Sequence, residues 1–165
     1  MKTLIAICLL FATKYTANAQ INFEQKNLTI LEKIAFTTNY KTIKAFMKNN
    51  HFSFIQEKEN ELILENDNLL DIILLEFKAD EGNTVNVCFV NKSKELIAVV
   101  NEMARLQTAY VESELKKHFF KIKQEEEEVK LWSKSSYKFQ ITTDKSDEKI
   151  QRVMFLSPGH PEYVK

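Results

Sequence analysis

Two histidines, His51 and His118, sit in matching stretches of the chain. Lys48-Asn49-Asn50-His51-Phe52-Ser53-Phe54-Ile55-Gln56-Glu57 reads beside Lys116-Lys117-His118-Phe119-Phe120-Lys121-Ile122-Lys123-Gln124-Glu125. Imidazoles are common metal ligands, but a metal site needs several donors converging at short range. A repeated turn instead sets the same residue at the same structural point in two separate places, so both histidines read as structural. Glu125 to Glu128 lacks the spaced Asp/Asn positions and the glycine of a calcium loop, and reads as a solvated hairpin tip. With only two glycines there is no room for a glycine-rich phosphate loop. No serine or cysteine stands in a nucleophile elbow. Cys88 lies mid-strand in Val85-Asn86-Val87-Cys88-Phe89-Val90, where a free thiol behaves as a small buried hydrophobe. The residue types therefore point away from an enzyme and imply no cofactor or metal.

What remains is a surface. In the second half of the chain, alternation sets Phe120, Ile122, Val129, Leu131, Tyr137, Phe139, Ile141, Val153 and Phe155 on an inward face. Lys130, Trp132, Lys138, Gln140 and Arg152 fall on the opposite face. Tryptophan and arginine are enriched at the centres of protein interfaces, which makes this face the expected partner-binding site. A slip of one residue in the strand holding Trp132 turns the indole inward, and the sequence leaves both registers open.

The elements that position these residues follow from the repeat, whose shift is about 67 to 70 residues and so invites a search for duplicated units. In the first unit, Asn27 offers a cap for a helix carrying Leu28, Ile30, Leu31, Ile34 and Ala35, and a second helix carries Tyr40, Ile43, Phe46 and Met47. Strands follow through Phe52 and Phe54, Leu62 and Leu64, Asp71 to Lys78 and Thr84 to Asn91, with a turn at Lys58-Glu59-Asn60 and a hairpin at Gly82-Asn83. Asp71 to Lys78 is apolar on both faces and so should be covered on both. In the second unit, Ser93 offers a cap for a helix carrying Leu96, Val99, Val100, Met103 and Leu106. That helix runs on to Phe119 or breaks near Gln107-Thr108, and the first unit favours the break. The expected fold is α+β, with two tandem repeats, each a helix pair followed by a four-stranded antiparallel sheet. The units are residues 20–91 and 92–156, and residues 157–165, which hold both prolines, form a surface tail.

Residues 1–19 read as a signal peptide: a basic start at Lys2, an uncharged apolar run from Thr3 to Ala12, and Ala17-Asn18-Ala19 before Gln20. The run is too short to span a bilayer, which takes about 20 apolar residues. The end of this signal resembles those of exported bacterial proteins. Cleavage between Ala19 and Gln20 predicts a periplasmic or secreted protein. It leaves Cys88 as the lone cysteine, so no internal disulfide supports the fold. The formal net charge of the whole chain is +0, and the signal carries only basic charges, so there is no basic surface for nucleic acid or anionic membrane. Hydrophobic residues make up 44% of the chain, twelve of them Phe, enough for a packed core.

Two tandem helix-pair and four-stranded-sheet units resemble the layout of beta-lactamase inhibitory protein. That resemblance implies a concave, polar and aromatic sheet surface that docks on another protein. It covers most of the mature chain as layout, without a shared motif, and this chain lacks that family's disulfides. The expected function is an exported, non-enzymatic protein-binding module, such as an inhibitor, immunity or accessory factor. The alternative is a small-molecule or lipid carrier with a pocket between helices and sheet.

Overall fold

The computed structural model describes residues 20–64, 67–104 and 109–164. The expected signal peptide and the expected break at Gln107-Thr108 lie outside the described residues. Element order is α1 (Lys26–Thr37), α2 (Ile43–Asn49), β1 (Phe52–Ile63), β2 (Leu69–Ala79), β3 (Thr84–Val90), β4 (Leu96–Ala104), α3 (Val111–Lys117), β5 (Lys121–Glu126), β6 (Val129–Ser133), β7 (Gln140–Asp144) and β8 (Ile150–Leu156). The strands form one eight-stranded sheet in the order β1-β2-β3-β4-β8-β7-β6-β5, antiparallel throughout.

This corrects the expected two tandem helix-pair-plus-sheet repeats. The segment read as the second unit's first helix is strand β4, which pairs with β3 on one side and β8 on the other. Leu96, Val99, Val100 and Met103 do recur at helical spacing. Yet Ile97, Ala98 and Val99 are all buried, and a short apolar run buried on both sides does not reveal its period. A β-branched run of this kind suits the middle of a sheet. The second half therefore has one short helix, α3, and no helix pair among the described residues. The turn expected at Lys58-Glu59-Asn60 is also absent: β1 continues through it, with Glu59 opposite Ile73 and Asn60 opposite Ile72. Those charges mark a sheet edge, where one flank of the strand meets water.

The matching histidine stretches share a local geometry. Each helix before an edge strand ends in a residue with positive φ, His51 at 64° and Phe119 at 64°. Each edge strand then carries a bulge, after Phe54 in β1 and after Ile122 in β5. The left-handed helix end falls on His51 and not on the asparagines before it, since Asn50 has φ −106°. Gly82, at φ 92°, turns the β2–β3 hairpin, where its N–H donates to the Ala79 carbonyl at 2.9 Å.

All three helices cover one face of the sheet. The core there joins Leu28, Leu31 and Ile34 of α1 to Leu75, Val87, Val99 and Phe155. Aromatic rings fill its centre. Phe23 meets His118, Phe120, Tyr137 and Phe155 with centroids 5.4 to 6.4 Å apart, a spacing at which edge-on rings attract.

Two buried carboxylates fix the segment that carries Phe23. Glu32 of α1, 2% exposed, accepts from Ile21 N–H at 2.6 Å, Asn22 N–H at 2.9 Å and the Tyr137 hydroxyl at 2.9 Å. Glu114 of α3 accepts from Glu24 N–H and, at 2.8 Å, from Gln25 N–H. Gln25 in turn caps α1, its side-chain oxygen accepting from Leu28 N–H at 2.7 Å, which moves the cap from the expected Asn27. Burial and the neighbouring Glu32 charge together push the Tyr137 hydroxyl well above its ordinary range.

Glu32→Ala should therefore lower unfolding stability by about 3 kcal/mol, because it removes the acceptor of two N–H groups and leaves the buried Tyr137 hydroxyl without its partner. Tyr137→Phe should cost about 1 kcal/mol, and the double variant should cost less than the sum. Urea unfolding of the four proteins checks the pair; strict additivity would break the assigned contact.

Candidate functional site on the open sheet face

The sheet's second face has no helix over it among the described residues. Residues paired across an antiparallel ladder share a face, so register assigns each side chain. Ile72, Cys88, Ala98, Leu131 and Leu156 are buried on this side, and Leu62, Leu70, Leu74, Val90 and Met154 are half-buried around them. Burial pushes the Cys88 thiol up to about 12, so it stays a neutral thiol at neutral pH. The apolar patch expected on both faces of β2 is therefore present, but one face is left largely open.

The C-terminal tail lies across part of this face. Ser157 N–H donates to the Ile97 carbonyl at 2.9 Å. The Gln140 side-chain amide grips Val164 at both backbone groups: its nitrogen donates to the Val164 carbonyl, and its oxygen accepts from Val164 N–H at 2.9 Å. The Tyr163 ring packs against the open-face cluster.

Beside the tail runs a trough of about 1520 Å³. One wall is Ile63 and Leu64 at the end of β1; the other is the β5–β6 hairpin, through Gln124, Glu126 and Glu127. Leu131 and Thr142 form its floor. Among the described residues the lining includes Glu126, Glu127 and Glu162 and no lysine or arginine.

The expected site residues do not form one patch. Gln140 and Arg152 do lie on the open face. Trp132 and Lys130 point to the helix side, which corrects the outward placement of the indole. Trp132 is 1% exposed; its indole N–H donates to the Thr143 hydroxyl at 3.0 Å, and Lys116 of α3 lies 5.9 Å from the ring centroid. The physical reason is the one-residue register choice. Leu131, not Trp132, faces the tail, and the larger ring fills the space under α3. Lys130 is tied to Glu112 at 3.3 Å and Glu125 at 3.4 Å. Lys138 is exposed in the loop before β7, with its ammonium 5.2 Å from the Phe139 centroid.

Arg152 sits in a cross-strand ladder, its side chain donating to Glu102 at 2.9 Å and Asp144 at 3.5 Å. Burial alone would push the Asp144 carboxyl up, but hydrogen bonds from Ser146 and Arg152 outweigh it and hold the group below its usual range. Arg152 is thus already neutralised by two carboxylates. Glu112 behaves similarly: burial pushes it up, and Lys145 and Lys130 hold it down.

His51 and His118 have different surroundings. His51 is exposed, beside a cleft of about 700 Å³ between α1 and the β2–β3 turn. His118 sits 3.8 Å from Glu114. Among the described residues no group of three or more His, Cys, Asp or Glu converges to hold a metal. The residues that sequence reasoning missed are those of the trough. Glu126 and Glu127 belong to the stretch that reads as a solvated tip, and nothing in the sequence marks Thr142.

Compared with known proteins, the chain matches no family model, no curated protein and no solved structure. The likeness to beta-lactamase inhibitory protein therefore gains no relative to support it.

Two measurements check these placements. Trp132 is the only tryptophan, so its emission should be blue-shifted and protected from acrylamide until the chain unfolds. Red, readily quenched emission from the folded protein would contradict the inward indole. His160 lines the trough, and burial lowers its affinity for a proton. A base with a depressed folded pKa stabilises the fold above its unfolded value, near 6.5, and loses that contribution as pH falls below it. The protection of the amides of residues 157–164, taken relative to their intrinsic exchange rates, should weaken as pH falls below 6.5, and His160→Asn should flatten that dependence.

Proposed function

We propose that the protein is an exported, non-enzymatic binding module that docks another protein on the open face of its sheet. The observation that carries this reading is the strip of Leu62, Leu70, Leu74, Val90 and Met154, half-buried and covered on the described chain only by the tail. Contiguous apolar surface rimmed by polar groups is characteristic of interaction sites. An inhibitor, immunity or accessory factor fits this surface. The docking residues differ from those expected: Gln140 and the Arg152 ladder border the strip, whereas Trp132 and Lys130 serve the core.

The carrier alternative finds less support. The seam between helices and sheet is filled by rings, and the cleft beside α1 is lined by Lys26, Lys33, Asp80 and Glu81 among others, a poor host for a lipid tail. Export to the periplasm or the medium remains part of the proposal and rests on the sequence of residues 1–19. No helix among the described residues is long and apolar enough to cross a membrane.

Residues 20–165 should serve as bait on periplasmic and secreted extracts of the source cell, beside Leu74→Glu and Lys33→Glu. A protein retained by the parent and by Lys33→Glu, and lost with folded Leu74→Glu, supports open-face docking. Equal retention by all three, or no specific protein, overturns it. Trp132 emission reports whether each bait is folded.

A further inference from the structure

We propose that the trough takes an extended segment of the partner in which apolar residues alternate with lysine or arginine. This deepens the open-face reading and rests on it. Three observations favour such an occupant.

The first is charge. Glu126, Glu127 and Glu162 line the trough, and among the described residues its lining holds no lysine or arginine and one histidine, His160. Cations on the neighbouring strands and turns are engaged elsewhere: Lys130 and Lys145 with Glu112, and Arg152 with Glu102 and Asp144. Carboxylates gathered in a concave site focus their field and attract cations. The same field repels nucleic acid and anionic lipid.

The second is an unmet hydrogen bond. Thr142 is 5% exposed, lies on the trough floor and has no partner for its hydroxyl among the described residues. Buried hydroxyls are nearly always bonded, so this one is suited to a group brought by the occupant.

The third is the way this surface already holds a stretch of backbone. The Gln140 amide bonds both backbone groups of Val164, and the Tyr163 ring packs on the apolar cluster beside it. Backbone capture by a side-chain amide with apolar anchoring alongside is what an extended segment requires, and its side chains alternate with period two. One set would meet Leu131 and Tyr163; the other would meet the glutamates.

The test uses residues 20–165 and fluorescein-labelled octapeptides at low salt, read by anisotropy. One peptide alternates leucine and lysine, the second leucine and glutamate, and the third serine and lysine. The leucine–lysine peptide should bind at least about tenfold more tightly than either other, and weaken as salt rises. Glu126→Lys with Glu127→Lys should weaken it about tenfold, Thr142→Val about threefold to tenfold, and Asp80→Lys, at the far end of the sheet, not at all. Equal binding of the serine–lysine peptide would mean bare charge attraction and overturn the proposal, as would indifference to the charge reversal. If the peptides fail while Leu74→Glu still releases a captured protein, the open face docks by other chemistry and only the trough assignment falls. If both fail, the docking reading falls with it.

Discussion

The arrangement depends on two glutamates that hold backbone. Glu32 and Glu114 come from helices far apart in sequence and accept from four N–H groups of residues 21–25. A buried carboxylate is costly unless its oxygens are filled, and here main-chain donors fill them. The reward is position. The segment places Phe23 among rings from the loop before β7, from β8 and from the residue before β5, while Gln25 starts α1. One short stretch thereby couples α1, α3 and the far half of the sheet.

That coupling makes the two faces unequal. The helix side is saturated with rings and aliphatics, so rearranging it means opening packed core, which proteins resist. The other side has the same strands but only a short tail. Its hydrogen bonds come from one side-chain amide and a few main-chain groups. Segments held by few apolar contacts are the ones that open at low free energy. Rigidity thus sits behind the sheet and adaptability in front of it, a division suited to a scaffold that presents a surface.

Much of this could be read from the chain. The β2–β3 hairpin, the strands around Phe139, Ile141, Val153 and Phe155, and the buried Cys88 follow from alternation and turn chemistry. β4 did not, because Leu96, Val99, Val100 and Met103 satisfy a helical period while their neighbours satisfy a buried strand. Only the partners on either side, β3 and β8, decide between them. Trp132 failed for a related reason: Lys130 and Trp132 look like a polar face until Glu112 is seen to hold the lysine. The trough was out of reach altogether. It brings the end of β1 beside the β5–β6 hairpin and the tail, segments of the chain that no local pattern relates.

The sheet edges help to explain why a partner would be met on a face. An edge strand offers unpaired backbone that invites another strand, and proteins blunt it with charge and bulges. β1 carries Glu57, Lys58, Glu59 and Glu61 and a bulge at Ile55; β5 carries Lys121, Lys123, Glu125 and Glu126 and a bulge at Lys123. Both bulges interrupt the ladder where a straight partner strand would need continuity. Strand addition is therefore discouraged at each edge by the same two devices. The apolar strip between them carries neither device, and the trough at its end concentrates acid beside an unbonded hydroxyl. Blunted edges and an open apolar face are separate features of this sheet, and together they leave side chains, rather than the ladder, as the surface on which the proposed docking would rest.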